Sequence, residues 1–204
     1  MTTTTQATDL GIRRAGPDDE TTVATTVAAA FYDDPVLVWL VPDPVRRQEV
    51  LVPMFRLYAE AYLRLGETYL TADGNATALW LPPGKELLTP EQETAFGEAA
   101  VDLIGPDAGK LGQLEETFAE HHPSEPLWYL NFLATVPAIQ GRGYGSALSR
   151  IQLERADRDG TPAYHEATTP RNRALYERLG YVNQGEFRLP DDGPPLWRMW
   201  RDPQ

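Results

Sequence analysis

Leu127-Trp-Tyr-Leu-Asn-Phe-Leu-Ala-Thr-Val136-Pro137-Ala-Ile-Gln140-Gly141-Arg142-Gly143-Tyr144-Gly145 is the stretch whose reading decides the fold. Its first half is apolar and rich in β-formers, and Pro137 ends any further ladder donation. Glycines then stand at the alternate positions 141, 143 and 145. Beyond them Tyr144, Ala147, Leu148 and Ile151 fall at i, i+3, i+4 and i+7, the apolar face of a helix. The pattern is a strand, a glycine-rich loop, and a helix whose first turn is that loop.

Such a junction suits a phosphate group. The first N–H groups of a helix lack intrahelical partners and lie at the positive end of its dipole. Glycine lets the backbone come close to an anion and adopt positive φ. Arg142 adds a full charge with bidentate reach to phosphate oxygens. A tight strand-to-helix turn uses the same glycines, and the glycine run alone does not choose between the two. A P-loop requires Gly-Lys followed by Ser or Thr, a tripeptide this chain lacks. A dinucleotide fold requires Gly-x-Gly-x-x-Gly after an early strand and an acid about 20 residues on. Here the spacing differs and the loop lies late in the chain.

Gln140-Gly141-Arg142-Gly143-Tyr144-Gly145 resembles the Gln/Arg-x-x-Gly-x-Gly/Ala motif of the GNAT acyltransferase superfamily. Ala163-Tyr164-His165-Glu166-Ala167-Thr168 is similar to the next strand of that fold. Asn172-Arg-Ala-Leu-Tyr176-Glu-Arg-Leu-Gly180-Tyr181 is similar to its closing helix and the strand start beyond. More narrowly, the Trp/Tyr-Leu approach strand and the Pro-Arg-Asn…Tyr-Glu-Arg-Leu-Gly segment resemble the branch that contains puromycin N-acetyltransferase. The resemblance is firm over about residues 127–185 and looser elsewhere.

The resemblance implies an α/β (mixed α+β) domain over residues 9–204: a twisted mixed sheet flanked by helices, after a disordered tail at 1–8. It implies direct transfer of an acetyl group from acetyl-CoA, the cosubstrate, to a primary amine of a small molecule, with no metal. Gly141, Arg142, Gly143, Tyr144, Gly145 and Ser146 would grip the coenzyme A pyrophosphate. The backbone of Ala134-Thr135-Val136 would pair with the pantetheine arm, and an N–H of that strand would polarise the thioester carbonyl. Tyr176 holds the position of a general acid toward the departing thiolate; a phenol with an ordinary pKa near 10 can serve that role. The alternative is a packing tyrosine in the last helix, and the motif together with the chemical need favours the acid.

Asn172 lies one helical turn before Tyr176, so both can face the cofactor arm. The commoner pattern has an asparagine seven residues before the tyrosine, where Thr169 stands here, and helix capping is the other reading of Asn172. Glu166 is the candidate general base, acting through water. His165 has the more suitable ordinary pKa, but neighbours on a strand point to opposite faces, so one of the two is expected in the cleft. Two rival readings are an acyl-CoA-binding protein without catalysis and acetylation of a protein amine. A third is a nucleotide-binding module, against which the missing Lys-Ser/Thr and ribose acid count.

The chain has 204 residues, enough for a single domain, since domains commonly run to about 250. It has no cysteine, which excludes disulfides, thiolate metal sites and a cysteine nucleophile and fits a cytoplasmic protein. No apolar run approaches the roughly 20 residues of a membrane span, and Met1-Thr-Thr-Thr-Thr-Gln6 lacks the marks of a signal peptide. The net charge of −12 argues against a nucleic-acid or acidic membrane partner and would steer a cationic amine, although ordinary solubility needs nothing more.

In chain order, Gly11–Arg14 reads as a short strand, and Pro17-Asp-Asp-Glu20 opens a helix with acids in its first turn. Asp33-Asp34-Pro35 breaks that helix, Val36–Val41 is a continuous apolar run, and a second helix spans about Val45–Arg64. The resemblance makes Asp33, Asp34, Trp39 and Tyr58 candidates to meet an amine. Read as residues, the acids are a solvated turn and the aromatics core packing. Glu67–Ala72 and Ala76–Leu81 form a hairpin around Asp73-Gly74-Asn75. Residues 85–125 are helical and polar, with a cap at Thr89-Pro90, and would cover the acceptor site or mediate a homodimer. His121-His122 lacks the spacing of a helical metal pair and reads as solvated loop. Beyond the motif helix come a strand at 161–168, a short helix capped by Thr169 and strands at 181–189 and 196–200.

Overall fold

A computed structural model of the chain describes residues 10–204; the tail expected at 1–8 lies outside the described residues. Among the described residues seven strands form one sheet: β1 (Arg13–Arg14), β2 (Thr68–Leu70), β3 (Ala76–Leu81), β4 (Trp128–Thr135), β5 (Ala163–Ala167), β6 (Val182–Arg188) and β7 (Pro195–Arg201). Their order is β1-β2-β3-β4-β5-β7-β6. Every neighbouring pair is antiparallel except β4 and β5, so the sheet is mixed, as expected.

Side-chain alternation gives each face its own core. Leu79 joins Val23, Val27, Leu51 and Phe55, which come from helices α1 (Glu20–Phe31) and α3 (Pro44–Leu65). Its neighbours Ala78 and Trp80 join Leu148, Leu153 and Ala156 of α6 (Tyr144–Asp159) and Tyr176 of α7 (Pro170–Arg178). The apolar run after Asp34 is the short helix α2 (Pro35–Leu40). Its start follows the same rule as the predicted cap at Thr89: the Asp34 carboxylate accepts from the Val36 N–H and Pro35 occupies the first turn. The polar stretch at 85–125 holds α4 (Pro90–Ile104), closed by a Thr89–Gln92 capping box, and α5 (Ala108–His121).

Two irregularities at the middle of the sheet make the site. β4 and β5 pair at only two positions, Trp128↔Ala163 and Tyr129↔Tyr164. The β3–β4 register then slips, with Leu79 opposite Phe132 but Trp80 opposite Leu130, so Asn131 is the extra residue of a bulge. A bulge bends its strand. This one falls where the pairing with β5 ends, and the C-terminal half of β4 is left with an unpaired edge.

Candidate active site

A cavity of about 850 Å³ occupies that gap. Phe132 and Leu133 both line it, as do His165 and Glu166, although adjacent strand residues point to opposite faces. The cavity therefore passes through the sheet between β4 and β5. This corrects the expectation that only one of His165 and Glu166 looks into the cleft: alternation excludes one of them only if the cleft stays on one face.

One end of the cavity is built from backbone. After the turn Pro137–Ile139, Gly141 (φ +81°) and Gly143 (φ +89°) take left-handed conformations that favour glycine. Gly143 caps α6, and the first intrahelical bond runs from the Ala147 N–H to its carbonyl (3.0 Å). The N–H groups of Tyr144, Gly145 and Ser146 thus have no helical acceptor, and no side chain caps them. All three residues line the cavity, with Gly141 and Gly143. Arg142 is exposed and outside the lining. Two arginines of α7, Arg171 and Arg178, line the cavity, both with exposed side chains; Arg171, at the start of the helix, donates from Nη1 to Gln140 Oε1 (3.1 Å). Arg171 lies inside the quoted Pro-Arg-Asn segment, but no spacing rule links it to a loop 30 residues earlier.

The β4 edge is selective. The Val136 N–H donates back to Asn75 (3.0 Å), so strand alternation turns the backbone groups of Leu133 and Thr135 to the open side. Leu133, Thr135 and Pro137 accordingly line the cavity, whereas Ala134 is fully buried and neither it nor Val136 does. Of the three edge residues expected, Thr135 is placed to pair with a ligand, and its carbonyl meanwhile accepts from Gln140 Nε2 (3.1 Å).

Asn172 lines the cavity, but its amide is engaged. Oδ1 accepts from the Thr169 N–H (2.9 Å) and Nδ2 donates to Thr168 Oγ1 (3.1 Å), which is the capping reading. Thr168 in turn donates to Asp34, tying the α1–α2 corner to the start of α7. Burial raises the Asp34 pKa, and the hydrogen bonds from Thr168 and Val36 oppose that rise. Both Asp34 oxygens are occupied, so Asp34 braces the cavity, while Asp33 lines it with an exposed side chain. Trp39 lies elsewhere, under Lys110, whose Nζ donates to the Trp39 carbonyl (2.7 Å).

The other end of the cavity is built from side chains. Phe132 meets Phe31, Phe55 and Tyr58 edge-on, with centroids 5.7, 5.4 and 5.1 Å away. Burial, then the charge of Glu115, push the Tyr58 phenol up to about 12. Leu111, Leu114, Glu115 and Phe118 of α5 complete the wall, so the polar helical insertion covers this end. Burial raises the Glu115 pKa, and among the described residues no cation pairs with it.

Between the two ends stand the titratable groups Tyr176, His165 and Glu166. Tyr176 lines the cavity with its ring 4.2 Å from that of His165 and 5.5 Å from that of Tyr181. Burial holds its phenol well above the ordinary range, helped by Tyr181 and Asp34, so it is kept as a proton donor. His165 is buried, its Nδ1 lies 2.6 Å from the Leu130 carbonyl, and burial lowers its pKa, so it stays neutral. Glu166 is 3 % exposed; Oε2 accepts from the Tyr129 hydroxyl (2.7 Å), while Oε1 is buried without a partner. His121 and His122 are not solvated loop. His121 stacks on Phe187 (4.2 Å), and His122 packs against Tyr129 and Tyr164 with Nδ1 3.6 Å from Glu166 Oε1. The i, i+1 spacing excluded a helical metal pair, but the return of α5 to the start of β4 is a tertiary fact that spacing does not carry.

Residues 53–181 match the model of the Acetyltransferase (GNAT) family. The chain belongs to the GNAT family. It is 26 % identical over 208 aligned residues to an uncharacterised N-acetyltransferase of Schizosaccharomyces pombe, covering 96 % of this chain and 84 % of that one. Among solved structures, a Corynebacterium glutamicum protein titled histone acetyltransferase HPA2 and related acetyltransferase superposes with a TM-score of 0.65 at 28 % identity, over 95 % of this chain and 96 % of the other. The polyamine N-acetyltransferase of Drosophila melanogaster shares the fold, with a TM-score of 0.63 at 15 % identity over 94 % and 98 %. As a GNAT enzyme the chain is an acyltransferase that uses acetyl-CoA. The free amides of α6 and the unpaired β4 edge fit a pyrophosphate and an extended amide-bearing arm. Among the described residues no helix is long and apolar enough to cross a membrane.

Proposed function

We infer that this GNAT enzyme acetylates the primary amine of a small molecule by direct transfer. The observation that carries the reading is the cavity through the sheet, with free helix amides at one end and an aromatic, acid-rimmed chamber at the other. The amides of Tyr144, Gly145 and Ser146 hold the pyrophosphate, with Arg171, which lines the cavity, supplying the charge that Arg142, outside the lining, does not. The pantetheine arm runs along the open edge at Leu133 and Thr135. Glu166 takes a proton from the ammonium, and the neutral amine attacks the thioester carbonyl. Tyr176, kept protonated by burial, delivers a proton to the departing sulfur and regains one from the nitrogen of the new amide. Apolar rings and unpaired Glu115 favour an acceptor with a hydrophobic body and a positive charge. The narrower resemblance to the puromycin acetyltransferase branch supports a drug-like or metabolite amine, and the lack of cysteine fits action in the cytoplasm.

The test is thiol release from acetyl-CoA with a panel of phenethylamine, agmatine, spermidine, puromycin and a peptide bearing a free N-terminus and lysine. Turnover of one or more of the small amines and not of the peptide is expected. Turnover of the peptide alone would move the reading to a protein amine. Acetyl-CoA binding without turnover of any of them would overturn catalysis on small amines.

A further inference from the structure

Direct transfer leaves one proton over. An ammonium carries three N–H bonds: one persists in the amide product, one proton ends on the thiol sulfur, and the third must leave the protein. Tyr176 faces the sulfur's side of that balance. The third proton starts inside a cavity in which its acceptor, Glu166, is almost wholly buried.

We propose that His122 carries this proton out, receiving it from Glu166 and releasing it to solvent. The inference rests on the reading of Glu166 as the base. Three observations carry it. Among the described residues Glu166 Oε1 is buried without a hydrogen-bond partner of good geometry, the nearby Tyr164 hydroxyl donating to the His121 carbonyl (3.5 Å), a costly state for a carboxylate oxygen that has no further use. His122 Nδ1 is 3.6 Å from that oxygen, within ion-pair distance, and proton transfer requires the two to close to hydrogen-bond distance. The imidazole stands outside the cavity lining and its side chain is 33 % exposed, whereas that of Glu166 is 2 % exposed. Cavity, carboxylate, imidazole and solvent thus come in that order.

The surroundings suit a transient imidazolium. His122 is the C-cap of α5, at the negative end of the helix dipole, which favours a cation. The groups facing it are Tyr129 of β4 and Tyr164 and Glu166 of β5, and its edge contacts with the two tyrosine rings hold the ring beside the carboxylate. Glu166 itself also senses Tyr62 of α3 and stands opposite Arg198 of β7, whose Nη2 donates to the Gln184 carbonyl (2.8 Å).

The step balances. An ammonium N–H bond breaks as a Glu166 O–H bond forms. The Glu166 O–H bond then breaks as His122 gains the proton at Nδ1, and Nε2 loses its own proton to water. Carboxylate and neutral imidazole are restored, and exchange with water resets the tautomer. His122 touches no substrate and works only through Glu166.

The first test needs no acceptor. The chain has three histidines, so NMR of ¹⁵N-histidine-labelled protein resolves His122. In Glu166→Gln the ring-nitrogen signals of His122 should move, because the carboxylate facing Nδ1 at 3.6 Å is gone, while those of His121, which stacks on Phe187, should stay. Unmoved His122 signals overturn the proposal. The second test is kinetic, with phenethylamine or another amine that the panel shows is turned over. His122→Ala should lower kcat about tenfold or more, leave KM for acetyl-CoA unchanged, and regain rate on addition of imidazole. Folding is checked in parallel by circular dichroism, and His122→Asn serves as a second variant. Full kcat in either variant, or a loss that imidazole does not restore, overturns the relay. An inactive Glu166→Gln beside a fully active His122→Ala sinks the relay alone; a fully active Glu166→Gln sinks the reading of the base on which it rests.

Discussion

The two ends of the cavity are made of different material. The donor end is backbone: three amides of one helix turn, the open edge of one strand, and glycines that clear the approach. The acceptor end is side chains from α1, α3, β4 and α5, held together by rings meeting edge-on and rimmed by acids. A backbone site binds one ligand class and tolerates change in its side chains. A side-chain site can be rebuilt residue by residue, so the fold fixes the donor and leaves the acceptor to the local sequence.

If that division holds, substitutions at the two ends separate cleanly. The largest effect is expected from Gly143→Glu, which places a carboxylate at the anion site and a side chain at φ +89°. Its affinity for acetyl-CoA should drop about 100-fold or more by calorimetry in a protein that still folds. Tyr176→Phe keeps the packing and removes the acid. It should lower kcat by about 10²-fold or more with the KM for acetyl-CoA unchanged. Glu115→Gln, at the other end, should raise KM for a cationic amine by about three- to tenfold, less so at high salt, and leave acetyl-CoA binding alone. An equal effect of Glu115→Gln on both substrates would break the comparison.

The brace between the ends is worth less. Asp34→Ala removes the α2 cap and leaves Thr168 without its acceptor, and should cost about 1–2 kcal/mol in urea unfolding. The smallest effect is a pH dependence. His165 has a depressed pKa in the folded state because it is buried. Below the unfolded value of about 6.5 the unfolded chain binds a proton that the folded chain resists, so stability falls as pH falls through that value. Between about pH 6.5 and 4.5, wild type should lose more thermal stability than His165→Gln. Equal losses would remove His165 from the account.

The strand, glycine loop and helix at one end of the cavity were legible because they are local: strand, stop, glycines and helix face follow one another within residues 127–151. The cap at Thr169 and the turn at Asp73-Gly74-Asn75 were legible for the same reason. The bulge at Asn131 was not, because it is a mismatch between two strands about 50 residues apart, and without it the passage through the sheet is invisible. Arg171 lines the cavity where Arg142 was expected, for a related reason. A charge inside a motif reads as part of the site, yet side-chain direction is set by the turn, and the loop points Arg142 outward. His122 was hidden too, since only the packing of α5 brings it to Glu166.

The most direct test of the central claim is a titration of ¹⁵N-labelled protein with acetyl-CoA, followed amide by amide. The amides of Tyr144, Gly145 and Ser146 and those of Leu133 and Thr135 should shift most and saturate together, with smaller changes at Ala134 and Val136. Shifts that saturate elsewhere, or none at these five, would contradict a cofactor bound through the backbone in the β4–β5 gap.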